Sequence, residues 1–295
     1  MKINTVIAGA QKAGTTSLYD WLGQHPEIFA PEHAKDFHFF SNDEHFTEGI
    51  SNLHSRYQKY SDEKVVLHAG VNYCYFPEIA YPRIFKYNPE VRVLLSLRNP
   101  TQRALSAFNY FKRLTLEKRK LEDSFDLDSE RKLTSYEDRS NYTYLDHGFY
   151  FSQVKELLSF TSDYKIVFFE DMITSKVDAY KDTLDWLGVD TSFTPLFSHE
   201  NVSGKVRIQA LNKFLWNSRL RRKIKSVLPY QKVIGTSFPH KIFLLLNRFN
   251  TDGKASKETD LALEKRLNSH FRADVEKLSE LLNMDLLKKW GFDSA

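Results

Sequence analysis

The feature that most constrains the fold is a strand-to-helix turn near the start of the chain. The apolar run Thr5-Val6-Ile7-Ala8 leads into a loop bounded by Gly9 and Gly14, and Thr15-Thr16-Ser17 then begins a helical pattern. The amides of such a loop, together with the positive end of the helix dipole, bind phosphate groups. The spacing is that of a P-loop, but the lysine stands at Lys12 and not directly after Gly14. The sequence therefore predicts a phosphate-binding loop that is not a Walker A site, in which the Lys12 charge stabilises a leaving group.

A second segment predicts another phosphate contact. The apolar run Val91–Leu97 is typical of a buried strand, and it ends in Arg98-Asn99-Pro100, with Ser106 eight residues after the arginine. Open α/β sheets bind ligands at the carboxyl ends of their strands, where Arg98 is expected. An arginine fork and a hydroxyl suit a phosphate, whereas an NTPase usually has a magnesium-binding aspartate there.

Together these segments resemble the sulfotransferases that use 3′-phosphoadenosine 5′-phosphosulfate (PAPS). In that family a K-x-G-T-T loop holds the 5′-phosphosulfate, and an R-x-P strand end with a serine eight residues after the Arg holds the 3′-phosphate. The segment Phe168–Met172 is similar to the family's Y-E-D-[LM] motif, with Phe169 in place of a tyrosine that contacts adenine. The segment Ser203–Arg207 resembles the loop that closes over the 3′-phosphate. The resemblance therefore implies a cofactor-binding set of Lys12, Ala13, Gly14, Thr15, Thr16, Ser17, Arg98, Ser106, Phe169, Gly204, Lys205 and Arg207.

The resemblance implies in-line transfer of a sulfuryl group from PAPS to a hydroxyl or amine, with 3′,5′-adenosine bisphosphate as product and no metal. It is nearer to the carbohydrate (heparan sulfate-like) and bacterial branch than to the cytosolic steroid and phenol enzymes, since Ser17 replaces their adenine-stacking tryptophan. The acceptor is expected to be a carbohydrate or a small molecule, and its identity stays open. The alternatives are a P-loop nucleotide or small-molecule kinase, which would need a lysine after Gly14, and a non-catalytic anion-binding module.

The general base has three candidates. The carbohydrate branch carries K-E-x-H-F-F after the first helix, and its glutamate deprotonates the acceptor. Here Lys35-Asp36-Phe37-His38 places Asp36 at the glutamate's position with one methylene fewer. Either Asp36 or His38, whose ordinary pKa is near neutrality, is expected to be catalytic together with Lys12. His68, before Ala69-Gly70-Val71-Asn72-Tyr73, is a reserve candidate.

The pattern of elements predicts an α/β protein with a P-loop-like parallel sheet flanked by helices and a mostly helical C-terminal part. We expect one domain over residues 1–295, with an inserted loop or lid at about 115–146, where charge is dense and apolar periodicity poor. Predicted strands are Thr5 to Ala8, Lys64 to His68, Val91 to Leu97 and Tyr164 to Phe169. Predicted helices are Thr15 to Gln24, Thr101 to Leu114, Ser152 to Ser159 and Lys176 to Leu187, with an amphipathic pattern from Leu261 to Leu282.

Composition predicts a cytoplasmic protein. Met1-Lys2-Ile3-Asn4 leads directly into the first strand without a secretory signal, and no apolar run approaches the roughly 20 residues of a membrane span. The lone cysteine, Cys74, excludes internal disulfides and fits a reducing compartment. The net charge of +4 suits a polyanionic cofactor and is too small to indicate nucleic acid as a partner. The oligomeric state stays open.

Overall fold

A five-stranded sheet forms the centre of the molecule. The computed structural model describes residues 1–125, 133, 135–197, 204–206, 251–255 and 261–292. The sheet has the order β2-β3-β1-β4-β5, and its neighbours pair in parallel. Its strands are β1 (Thr5–Gly9), β2 (Ile28–Phe29), β3 (Val65–Ala69), β4 (Arg92–Leu97) and β5 (Tyr164–Phe168). Later in the chain, β6 (Gly204–Val206) and β7 (Thr251–Ala255) pair antiparallel.

Helices cover the sheet. In chain order they are α1 (Thr15–Leu22), α2 (Asp43–Thr47), α3 (Ile50–His54), α4 (Pro77–Tyr87), α5 (Pro100–Arg113), α6 (Leu121–Ser124), α7 (Tyr136–Tyr142), α8 (Tyr150–Phe160), α9 (Phe169–Thr174), α10 (Lys176–Leu187), α11 (Leu261–Leu282) and α12 (Leu286–Lys289). Short 3₁₀ turns are Glu32–Ala34, Ser55–Tyr57 and Asp146–Gly148. Among the described helices, none has the length and the apolar character that crossing a membrane requires.

The core has two parts, one on each face of the sheet, because successive side chains of a strand point to opposite faces. All five residues of β1 are buried. Val6 and Ala8 belong to the larger part, which α5, α8 and α11 complete. Ile7 belongs to the smaller part, with Leu18 of α1 and Leu184 of α10. Burial on both faces explains why β1 is continuously apolar and not alternating.

The predicted fold class is confirmed, and each predicted strand and helix is present with bounds that differ by at most a few residues. Lys176–Leu187 and Leu261–Leu282 are helical over the predicted residues. The two-residue strand β2 was not predicted. Within the interval predicted as a loop or lid, α6 and α7 are helical, and Phe125 and Tyr144 are buried in the larger core. This interval therefore contributes to the core as well as to the surface.

Candidate active site

The loop between β1 and α1 has a backbone that suits anion binding. Lys12 has a φ of 67° and Gly14 a φ of 85°, both in the left-handed region. A Cβ at Gly14 would lie 2.7 Å from Cδ2 of Phe169, so a larger residue would displace that ring as well as strain the backbone. Gly14 is the N-cap of α1. The first amides of α1 therefore open toward the loop without intrahelical acceptors.

Neighbouring elements hold this loop in place. The Ala10 amide donates to the Ser96 carbonyl of β4 at 2.7 Å, and the Ser96 hydroxyl donates to the Ala13 carbonyl at 2.5 Å. The Gln11 side-chain amide donates to the Ser140 carbonyl of α7 at 2.9 Å. Ala13 is fully buried, while Thr15 at the start of α1 is 5% exposed and Thr16 and Ser17 are partly buried. The loop is thus anchored to the sheet on one side and to the lid interval on the other.

Arg98 contacts the same loop. It lies two residues before the start of α5. The helix begins there because the Asn99 side chain accepts the Gln102 amide as an N-cap and Pro100 occupies the first helical position. Nη1 of Arg98 donates to the Lys12 carbonyl at 3.2 Å, and the guanidinium carbon lies 4.3 Å from the centroid of the Phe169 ring. Burial lowers the pKa of Arg98, and Glu170 opposes that shift. Lys12 and Arg98, which are predicted to contact phosphate, and Phe169, which is predicted to contact adenine, are therefore adjacent.

One face of α5 continues the site. Arg103, Ser106, Tyr110 and Arg113 recur at intervals of three or four residues, so they lie along one side of the helix. Nζ of Lys12 lies 4.1 Å above the centroid of the Tyr110 ring. Sequence reasoning identified only Ser106 on this helix. The three- and four-residue spacing from Ser106 is the signal that would have pointed to the other three residues.

Lys12 lies among cations. Burial, followed by the charges of Arg113, Arg98 and Arg103, lowers its pKa to about 8, while Asp36 acts in the opposite direction. Arg103 is fully buried, donates to the Tyr144 carbonyl, and has a pKa lowered by burial to about 10. Crowded positive groups repel one another, and a bound anion relieves that repulsion. The arrangement therefore suits a bound anion.

The candidate bases Asp36 and His38 lie on one segment after α1. Asp36 has a φ of 56°, and its amide donates to the Ala69 carbonyl at the end of β3 at 3.0 Å. Although Asp36 is exposed, the protein around its carboxyl raises its pKa by desolvation, which Lys35 and Lys12 oppose. Burial lowers the pKa of His38 to about 4, and its Nδ1 is buried without a hydrogen-bond partner among the described residues. Asp36 and Lys12 thus influence each other electrostatically, whereas the charge that acts on His38 is that of His45.

The remaining candidates lie on other elements. His68 is fully buried in β3, with Tyr57 and Tyr73 on its two ring nitrogens. Ser106 is partly buried in α5. Gly204 and Lys205 belong to β6, and Arg207 lies outside the described residues. In the described ranges, His, Cys, Asp and Glu side chains form no group that could hold a metal ion.

Comparisons with known proteins agree with this geometry. The family model described as "Sulfotransferase domain" matches residues 2–213. The chain is 30% identical over 103 residues to the heparan sulfate glucosamine 3-O-sulfotransferase 5 of mouse and human, an alignment that covers 35% of this chain and 29% of each relative. It is also 30% identical over 110 residues to the membrane-associated sulfotransferase kil1 of Dictyostelium discoideum, covering 36% of this chain and 22% of that protein. The chain thus spans less than a third of the length of the curated relatives it matches.

A solved structure resembles the whole chain. The sulfotransferase from Alicyclobacillus acidocaldarius superposes with a TM-score of 0.70 and 25% sequence identity, covering 98% of this chain and 99% of that one. The chain has a glycine-bounded loop at the carboxyl edge of a parallel sheet, and the family match extends over most of its length. The chain belongs to the sulfotransferase domain family.

Proposed function

We propose that this protein transfers a sulfuryl group from PAPS to a hydroxyl or amine of a carbohydrate or small natural-product acceptor. The observation that carries the proposal is the position of Lys12. Its carbonyl accepts a hydrogen bond from Arg98, its ammonium lies over Tyr110, and its charge interacts with Asp36. One residue therefore joins the predicted anion site to the predicted base.

The residues present fit the donor. The amides of the loop, the start of α1 and the Lys12 ammonium suit a 5′-phosphosulfate. The Arg98 fork and the Ser106 hydroxyl suit a 3′-phosphate, and the Phe169 ring offers an aromatic face to adenine. Four cations around the loop, Lys12, Arg98, Arg103 and Arg113, match a polyanion better than they match a site for Mg²⁺, which needs oxygen ligands. The same contrast favours PAPS over the ATP of a P-loop kinase.

The chain's own groups divide the chemical work. When bound, PAPS supplies an activated sulfuryl group with a phosphate as leaving group. Lys12 stabilises the negative charge that develops on that phosphate, because a preorganised ammonium in a desolvated site needs little reorganisation. Asp36 accepts the proton of the acceptor hydroxyl or amine, and its raised pKa makes it a stronger base than an ordinary aspartate. The loop and α5 hold these groups in register.

Asp36 is a better supported base than His38. Asp36 is exposed and interacts with Lys12, whereas His38 is partly buried and its lowered pKa of about 4 makes it a weak proton acceptor.

Nucleotide binding tests the donor. We expect 3′,5′-adenosine bisphosphate to raise the thermal midpoint much more than AMP, because only the bisphosphate engages Arg98 and Ser106. Arg98→Ala should weaken its binding by about 2 to 4 kcal/mol, the cost of losing a charge-assisted fork. Arg272→Ala, which removes an arginine from α11, is the matched control and should bind normally. Equal stabilisation by the two nucleotides, or stronger protection by ATP with Mg²⁺, would contradict the proposal.

Turnover with PAPS and a panel of acceptors tests the chemical roles. Lys12→Ala should reduce kcat by roughly 100-fold or more while nucleotide affinity falls less. Asp36→Asn should abolish turnover and leave donor binding intact, and Asp36→Glu should retain activity, since relatives of the carbohydrate branch use that longer acid. His38→Ala should be a milder defect. An active Asp36→Asn together with an inactive His38→Ala would transfer the base to His38.

Two further proposals accompany this function. We place the protein in the cytoplasm, which is compatible with a free, buried Cys74. The similarity to heparan sulfate glucosamine 3-O-sulfotransferases supports a carbohydrate acceptor, which the acceptor panel tests directly.

A further inference from the structure

A buried hydrogen-bond chain lies beneath the segment that carries Asp36 and His38. Tyr57 is 3% exposed, and His68 and Tyr73 are 0% exposed. The Tyr57 hydroxyl lies 2.9 Å from Nδ1 of His68, and Nε2 of His68 lies 2.7 Å from the Tyr73 hydroxyl. The Tyr73 hydroxyl also lies 3.1 Å from the Phe37 carbonyl and 3.4 Å from the Phe40 amide. The network of hydrogen bonds therefore ends at backbone groups on both sides of His38.

Counting the available hydrogens shows which groups of the network donate and which accept. The Phe37 carbonyl only accepts, so Tyr73 uses its single hydroxyl hydrogen there, and the Phe40 amide donates to the Tyr73 oxygen. Nε2 of His68 must then carry a hydrogen and donate to Tyr73. In a neutral ring Nδ1 is an acceptor, and the single hydrogen of the Tyr57 hydroxyl is shared between Nδ1 and the Leu67 carbonyl, which lies 3.2 Å from that hydroxyl. The Tyr73 side of the network thus assigns the hydrogen of a neutral His68 to Nε2.

The surroundings of His68 keep it neutral. Burial, with smaller effects of His38 and Arg56, lowers its pKa to about 3, and the Phe37 carbonyl acts in the opposite direction. Both ring nitrogens have partners, and the side chain has no exposed surface. His68 is therefore badly placed for the role of general base that the sequence held in reserve for it.

The same network sits beside the strained part of the segment. Asp36 has its left-handed φ of 56° one residue before the carbonyl that Tyr73 binds. The Tyr73 ring in turn packs on Gly70, where a Cβ would lie 2.3 Å from the ring. A residue other than glycine keeps this strained backbone conformation only where contacts with its surroundings hold it. Tyr73 and His68 supply such surroundings.

We propose that His68 is a positioning residue that acts through Tyr73 to hold the 36–40 segment, and with it the carboxyl of Asp36, in place. This role presupposes the sulfuryl transfer proposed above. Loss of the network would let the base move while the phosphate loop, held by Ser96 and Arg98, stays in place. A base displaced by about 1 Å costs up to roughly 100-fold in rate.

Single-atom changes test the role. Tyr73→Phe removes the hydroxyl and keeps the ring. We expect kcat to fall about 10-fold or more, with little change in the KM for PAPS or in bisphosphate affinity. Tyr81→Phe is the matched control, because Tyr81 is also fully buried and its hydroxyl has no partner among the described residues. This control should keep wild-type kcat.

Two substitutions of His68 separate positioning from packing. His68→Gln keeps an N–H near the position of Nε2 and should retain most of kcat. His68→Asn offers an amide near Nδ1, leaves Tyr73 without its donor, and should resemble Tyr73→Phe. Equal activity of the Gln and Asn variants, or wild-type kcat in Tyr73→Phe, would overturn the proposal.

A readout without turnover separates this inference from the proposed function. Hydrogen–deuterium exchange of a peptide covering residues 36–42 should accelerate in Tyr73→Phe and not in Tyr81→Phe, whatever reaction the protein performs. Unchanged exchange would overturn the positioning role even in an active sulfotransferase. Faster exchange in a protein that binds neither PAPS nor the bisphosphate would contradict the proposed function and leave the structural link intact.

Discussion

Lys12 combines three unfavourable features: a left-handed backbone, a desolvated ammonium and three neighbouring arginines. Burial, followed by the charges of those arginines, lowers its pKa to about 8. Residues with such costs concentrate at functional sites, because binding energy compensates for them there. A polyanion in the loop would stabilise the protonated lysine and raise its pKa. Ligand binding and lysine protonation are therefore coupled.

This coupling predicts a particular pH dependence. The profile of kcat/KM reports the free enzyme, so it should fall on the alkaline side near pH 8, as Lys12 loses its proton. The profile of kcat reports the complex, in which the bound anion raises the pKa of Lys12, so its alkaline limb should lie at higher pH. Steady-state kinetics from pH 6 to 10 with saturating acceptor would measure both. Coincident alkaline limbs would contradict the coupling.

Stability gives a second residue-scale prediction. The pKa of Lys12 in the folded protein is below its ordinary value of 10.5, so the folded state binds fewer protons between about pH 8 and 10.5. The ligand-free protein should therefore gain stability as pH rises through that window. Lys12→Met should raise the free energy of unfolding at pH 7 by about 1 to 2 kcal/mol, after a discount for solvent screening. It should also abolish turnover.

Urea unfolding at pH 7 and pH 9.5 measures this effect. The advantage of Lys12→Met over wild type should shrink at the higher pH, where the wild-type lysine is neutral in the folded state. Lys288→Met, at an exposed lysine of α12, is the control and should match wild type at both pH values. A destabilised Lys12→Met would show that the lysine stabilises the ligand-free fold.

At the scale of elements, the residue that follows α12 contacts the start of α5 and α9. The Glu170 carboxylate accepts the Asn99 amide at 3.0 Å and the Trp290 indole N–H at 3.2 Å. The Asn99 side chain donates to the Trp290 carbonyl at 2.8 Å. This clasp joins β4, α9 and α12 immediately beside Arg98. The residue that follows α12 thus contacts the residue that follows Arg98.

We expect Glu170→Gln to weaken both the fold and nucleotide binding. An amide offers one acceptor where the carboxylate serves two donors, so either Asn99 or Trp290 loses its partner, at a cost of about 1 to 3 kcal/mol. The neighbouring Asp171→Asn breaks the 2.7 Å contact to Lys289, a partly exposed ion pair worth about 0 to 1 kcal/mol. Thermal unfolding and bisphosphate titration of both variants make the comparison. Equal effects of the two substitutions would contradict the clasp.

Across the whole molecule, the sequence was sufficient for elements with strong local signals. The apolar runs before Gly9 and Arg98 predicted β1 and β4, and helical periodicity predicted α10 with its observed bounds. The two residues of β2 are too few to form a pattern. The buried aromatics of the lid interval, Phe125 and Tyr144, were missed because scattered apolar residues in a charged stretch reveal a core contact only in three dimensions.

The candidate site divides in the same way. Lys12, Gly14 and Arg98 stand in contiguous motifs, so sequence reasoning predicted them. The network of Tyr57, His68 and Tyr73 depends on tertiary contacts between separate segments, and no spacing rule gives such contacts. The face of α5 that carries Arg103, Ser106, Tyr110 and Arg113 is an intermediate case. The sequence shows the spacing of these residues, but only the structure shows that Tyr110 lies against Lys12.

The single-domain prediction is testable at this largest scale. One core joins β1, α5, α8 and α11 on the same face of the sheet, so unfolding should be one cooperative transition. Far-ultraviolet circular dichroism and tryptophan fluorescence should give the same midpoint of unfolding. At 100 times its Kd, 3′,5′-adenosine bisphosphate should raise the free energy of unfolding by about 2.7 kcal/mol and shift both midpoints equally. AMP is the ligand control. Two transitions, of which the nucleotide moves only one, would show instead that residues 1–295 form more than one folding unit, because a ligand stabilises only the unit that unfolds with its site.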